Sequence, residues 1–298
     1  MGGPQGDFEV PAALLAEALA DGFGDVLGED PPDAPVPAPA DLPEEPRLLE
    51  ARRRVEQLLA DDSLRVAFQP IVELASRKVI GYEALARFPG DSDRSPQQWF
   101  AEAAEVGLQL EIEMAAIRRA LGHLQELPLD AFISLNVSPL TAGSTELRDA
   151  LAEVAGSRVV LEITESAAAE GYDKVIDAVD ELRASGVRIA LDDTGSGSVS
   201  FSNLLDVHAD IIKIDIEVTR GIESDPMKEA MASALRSLAF RSGAMSLAEG
   251  IETEGELDLL RKLEVEAGQG YLFGRPESVP EAPAAAKRPP AQSRRRGR

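Results

Sequence analysis

The feature that most limits what this chain can fold into is a series of apolar runs that each close on an acid or an amide. The runs are VIGYEAL (79–85), AFISLNV (131–137), VVLEIT (159–164), RIALDD (188–193), IIKIDI (211–216) and AMSLAEG (244–250). Their length and composition read as buried strands. At or near their ends stand Glu83, Asn136, Glu162, Asp192, Asp193 and Glu249, with Lys213 among them. A carboxylate left in such a run needs a partner, because burying an unpaired charge is costly. Many oxygen donors beside one lysine point to a divalent-metal site, and a metal site points to chemistry.

Between the runs, amphipathic helices are predicted at 97–106, 109–126, 145–154, 172–184, 226–241 and 254–262. Strands that alternate with helices argue for a mostly parallel sheet with helices packed outside it. Glu83 and Asn136 are 53 residues apart, and the later steps to 162, 192, 213, 249 and 269 are 26, 30, 21, 36 and 20. Apart from the first, each step is about one strand–helix unit. In a barrel such strand ends meet at one mouth, whereas an open sheet spreads them along an edge. The expected fold is therefore α/β, a TIM-like (β/α)8 barrel.

Composition narrows the chemistry. No cysteine means no disulfide, thiolate zinc site or cysteine nucleophile, and only His123 and His208 are present to form a histidine site. No apolar run is long enough for a membrane span, and the first 25 residues hold no Lys or Arg to begin a secretory signal. A soluble, cytoplasmic protein is expected. The formal charge is −23, and it is uneven: residues 1–46 hold 11 acids and no base, residues 282–298 hold 6 bases and no acid, and the remainder carries −18. Such a body repels DNA and RNA, and an anionic substrate would need bound cations to reverse the local sign.

Seven prolines between Pro31 and Pro46, mixed with Ala and acids, suit an extended linker. Residues 1–46 are read as an acidic, weakly ordered arm, 47–278 as the barrel, and 279–298 as a basic, disordered tail.

FQPIV (68–72), GYEALAR (81–87), NVSP (136–139), LEITES (161–166), LDDTGSG (191–197), IKID (212–215), AEGIET (248–253) and QGYLFGRP (269–276) occur in that order. Together they resemble the EAL domain family of cyclic-di-GMP-specific phosphodiesterases over roughly residues 62–277. The resemblance implies metal-dependent hydrolysis of cyclic di-GMP to linear 5′-pGpG, with Mg2+ or Mn2+, two ions, and a homodimer. It implies metal ligands at Glu83, Asn136, Glu162, Asp192 and Asp193, and catalytic roles for Lys213 and Glu249. Gln69, Arg87 and Gln269 fall on substrate-binding or water-holding positions, and Glu165 and Glu252 on supporting ones. Arg87 lies four residues after Glu83, hence on the same strand face.

The chain departs from the family's pattern at Thr194, where a phenylalanine is usual, at Ser198, where a tyrosine is common, and in LEVEAG (263–268). GSGSVS (195–200) lacks the third glycine of a nucleotide fingerprint and is expected to be a loop above the metals. No matched ligand is lost. The alternatives are a catalytically weak cyclic-di-GMP receptor and a protein-binding scaffold.

Overall fold

The computed structural model describes residues 44–89, 94–154, 156–164, 172–194 and 208–278. Eight strands close a barrel in chain order: β1 (Arg65–Glu73), β2 (Val79–Arg87), β3 (Phe132–Asn136), β4 (Val159–Thr164), β5 (Arg188–Thr194), β6 (Ile211–Ile214), β7 (Met245–Ala248) and β8 (Ala267–Gly268). From β2 to β8 every neighbouring pair is parallel. β1 runs antiparallel to both β2 and β8. The cause is local: residues 74–78 join β1 to β2 directly, and so short a link cannot carry the crossover that a parallel pair needs.

The helices fall close to the expected ranges. They are α1 (Glu44–Ala60), α2 (Pro96–Glu105), α3 (Gln109–Gly122), α4 (Pro139–Ala142), α5 (Thr145–Ala152), α6 (Tyr172–Ala184), α7 (Ile216–Thr219), α8 (Pro226–Ser242) and α9 (Glu254–Lys262). Sequence-coded caps set several starts. Ser95 with Gln98 and Thr253 with Glu256 form capping boxes, and Asp225 accepts hydrogen bonds from the first turn of α8. α1 was not anticipated. It buries Ala51, Val55 and Leu58, the last two in a cluster with Trp99 and Ile112.

The barrel interior splits into two zones. Its lower part is an apolar plug of Ile71, Phe132, Val160, Ala190, Ile211, Leu247 and Ala267. Gly81 is required there, since a Cβ at that position would lie 2.5 Å from the Phe132 ring. The upper part, toward the C-terminal ends of β2–β8, is polar. Among the described residues no helix is long and apolar enough to cross a membrane.

Candidate active site

Parallel strands bring their C-terminal ends to one rim, and the rim gathers residues from seven strands. Glu83 is in β2, Asn136 closes β3, Glu162 is in β4, Asp192 in β5 and Lys213 in β6, while Glu249 and Gln269 directly follow β7 and β8. Strand register places Asn136 opposite Glu162 and Glu83 opposite Ser134.

Lys213 is the hub. Its Nζ lies 2.8 Å from Glu162 Oε2, 2.9 Å from Asp192 Oδ1 and 2.8 Å from Glu249 Oε1. The ammonium's three N–H donors therefore each meet a different carboxylate. The second oxygen of Glu162 accepts a hydrogen bond from the Ser134 hydroxyl at 2.5 Å. Gln269 Nε2 donates to Glu83 Oε2 at 2.7 Å and to Glu249 Oε1 at 3.0 Å, and Asn136 Nδ2 donates to Glu83 Oε1 at 3.0 Å. One connected network thus spans Asn136, Glu83, Gln269, Glu249, Lys213, Asp192, Glu162 and Ser134.

Charge does not balance within it. Four carboxylates face one ammonium, and Lys213 and Glu162 are buried to 1% and 2% exposure. Burial pushes the Glu162 carboxyl well above its ordinary range, and the neighbouring Glu83 and Asp192 charges add to that effect against the pull of Lys213. Glu249 rises to about 7 for the same reason, burial first, with Lys213 opposing. Burial alone would depress Lys213, but the combined attraction of Glu162, Glu249, Glu83 and Asp192 holds it well above the usual lysine value.

The donors are all hard oxygens, the set that suits Mg2+ or Mn2+ rather than zinc or copper. Gln269 Oε1 is buried without a hydrogen-bond partner, a free acceptor turned loose in a site already rich in acceptors. Among the described residues no three acidic or histidine side chains surround a common metal position. The Lys213 ammonium stands where the carboxylates converge.

Two hollows flank the network. One, of about 470 Å³, is lined by Glu83, Asn136 and Asp192 with Arg87, Gln97 and Phe100. The other, of about 240 Å³, is lined by Gln69, Glu249 and Gln269 with Arg220, Glu252 and Tyr271. Arg87 lies in the same hollow as Glu83, with Nη1 on the Ala86 carbonyl at 2.9 Å. Gln69 is buried, opposite Glu83 in register, and its Nε2 donates to the Gly274 carbonyl at 3.3 Å.

Glu252 is exposed and pairs with Arg220 at 2.7 Å. Glu165, Ser198 and the 195–200 loop lie outside the described residues, as does the side chain of Asp193. Thr194 is fully buried, and its hydroxyl is without a hydrogen-bond partner.

Three polar residues near the rim escaped the sequence reading. Ser134 fixes Glu162. Asp215 is buried and caps α7 through the Glu217 N–H at 2.6 Å. Glu113, in α3, is buried and holds Ser138 just after Asn136. Ser134 carried a signal, a hydroxyl on the same strand face as Asn136 in an otherwise apolar run, whereas the partners of Glu113 are invisible without the fold.

A barrel whose rim gathers oxygen donors from β2–β5, β7 and β8 around a β6 lysine defines the class, and comparison with known proteins gives the family. The EAL domain pattern matches residues 52–276, and this chain belongs to that family. It is 31% identical over 240 residues to the cyclic di-GMP phosphodiesterase NbdA of Pseudomonas aeruginosa, a match covering 76% of this chain and 31% of that protein. Among solved structures, the PaMucR phosphodiesterase in complex with c-di-GMP is 30% identical with a TM-score of 0.70, covering 78% of this chain and 98% of that one. BlrP1 of Klebsiella pneumoniae, in a complex with manganese and cyclic di-GMP, is 29% identical with a TM-score of 0.64, covering 72% of this chain and 56% of that one. The chain spans about a third of the length of the curated relatives it matches.

Proposed function

We propose that this chain hydrolyses cyclic di-GMP to linear 5′-pGpG, with two divalent cations, Mg2+ or Mn2+, held at the barrel rim. The observation that carries this reading is the negative surplus of the rim, where three carboxylates meet one ammonium and a fourth, Glu83, joins them through Gln269. Such a cluster repels a phosphodiester unless cations reverse its sign. The relatives point the same way, since NbdA is a named cyclic di-GMP phosphodiesterase and BlrP1 is seen with manganese and the dinucleotide. Glu83, Asn136, Glu162, Asp192 and Asp193 are the proposed ligands.

When bound, divalent cations supply Lewis-acid polarisation of phosphoryl oxygens and make hydroxide available near neutral pH. The remaining work falls to the side chains. Glu249, with a carboxyl near pH 7, is suited to take the proton of the attacking water. The water oxygen bonds to phosphorus, the bond to the ribose 3′-oxygen breaks, and that oxygen leaves with a proton from solvent. Lys213 stays charged and holds three carboxylates in place. Gln269 offers its free Oε1 to a water. Arg87 and Gln69, in the hollows on either side, bind the two nucleotide halves.

The proposed barrel domain is 47–278, with 1–46 as an acidic arm and 279–298 as a basic tail. A homodimer in the cytoplasm completes the reading.

The test is to incubate the protein with cyclic di-GMP and Mn2+ and separate the products by chromatography. The expected result is pGpG that disappears when a chelator is added. Tight binding without pGpG would replace the hydrolase with a receptor, a reading that buried Thr194, standing where the family usually has phenylalanine, would then support.

A further inference from the structure

Glu113 is a buried carboxylate that the rim chemistry leaves unused. It sits on α3 at 8% exposure, among Ile112, Met114 and Ile117 of the same helix, all buried. Three donors converge on it. Ser138 N–H and Ser138 Oγ–H both reach Oε2, at 3.1 and 2.9 Å, and Gln109 Nε2 reaches Oε1 at 3.0 Å. Ser138 in turn caps α4, its Oγ accepting from Thr141 N–H at 3.3 Å. The helix that precedes β3 thereby grips the turn that follows β3.

That turn begins at Asn136, which is exposed at the rim and donates to Glu83. On its inner side the backbone is fixed by Val137 N–H on the Glu162 carbonyl at 3.0 Å. On its outer side the hold is Glu113. We propose that Glu113 is a positioning residue for Asn136, setting the angle at which its carboxamide oxygen enters the cation site. The inference rests on the metal-site reading given above.

An acceptor-only group suits a point where an N–H, an O–H and an amide all donate. The charge itself is not required. A glutamine at this position keeps an oxygen toward Ser138 and can give its NH2 to Gln109, whose own amide turns to accept. Glu113→Gln and Glu113→Ala therefore separate geometry from charge.

Calorimetric titration with Mn2+ and amide hydrogen exchange on the metal-free protein supply the test. Glu113→Ala should weaken Mn2+ binding about 10-fold, within the range seen when the outer partners of metal ligands are removed. It should also speed exchange at the Ser138 amide. Glu113→Gln should stay within about twofold of wild type, since its hydrogen bonds are re-formed. In an Asn136→Ala background, adding Glu113→Ala should change Mn2+ affinity no further. Unchanged affinity in Glu113→Ala, an equal loss in Glu113→Gln, or an additive loss in the Asn136→Ala background would each overturn the assignment. Wild-type protein that binds no Mn2+ would instead remove the metal reading beneath it, and the assignment with it. Thermal unfolding of each variant shows whether it is folded.

Discussion

At the rim of the barrel Glu83, Glu162, Asp192 and Glu249 crowd around one ammonium, while a few residues down the same strands Phe132, Val160, Ile211 and Leu247 pack into an apolar plug. The plug buries hydrocarbon against hydrocarbon, which favours the folded state directly. The rim buries like charges together, which opposes it. The folded chain thus draws stability from one end of its barrel and gives some up at the other, where the carboxylate oxygens gather. The Arg188 guanidinium, 4.6 Å above the Phe132 ring centroid, shows that even a cation at the lower end is placed on an aromatic face.

Substitutions at the two ends should have opposite signatures. The largest effect is expected at the rim. Glu83→Ala and Asp192→Ala should lower turnover of cyclic di-GMP by about 10²-fold or more while leaving the metal-free protein as stable as wild type. Steady-state rates with Mn2+, set beside thermal unfolding in chelator, check both halves. A variant that unfolds but keeps its rate per folded molecule would erase the contrast. Next comes the plug. Phe132→Ala should cost about 3–5 kcal/mol of stability, measured by denaturant unfolding, with turnover of the folded fraction little changed.

The smallest effect sharpens the comparison through pH. Glu249 has its carboxyl raised from 4.5 to about 7 by burial. The folded state therefore binds this proton more tightly than the unfolded chain. The resulting stabilisation is complete below about pH 4.5 and is lost as pH rises through about 7. In chelator, stability should fall by about 1–3 kcal/mol between pH 5 and pH 8, and Mn2+ should flatten that slope. Stability that rises across this window would mean that Glu249 is not buried in a surplus of negative charge.

Much of this contrast was legible in the sequence. A carboxylate closing an apolar run, as in VVLEIT, has only two explanations, a partner or a ligand, so Glu162 marked the rim before any fold was known. The helices were legible because an amphipathic repeat is local, and the caps at Ser95–Gln98 and Thr253–Glu256 show that two of the starts are local as well. The direction of β1 runs against the alternation, which suggests parallel neighbours, because the short 74–78 link allows only an antiparallel pair. α1 has apolar residues at helical spacing, but its start overlaps the stretch read as a linker. Ser134 and Glu113 stayed hidden for another reason. Their partners, Glu162 and Ser138, lie 28 and 25 residues away, and only the closed barrel brings them into reach.

Lys213 has all three of its protons engaged by carboxylates, which bears on how any cation would enter the rim. The ammonium already stands among the carboxylates that the proposed cations would use. An ion held as proposed would share Glu162 and Asp192 with the ammonium, so its apparent affinity would be what remains after that competition.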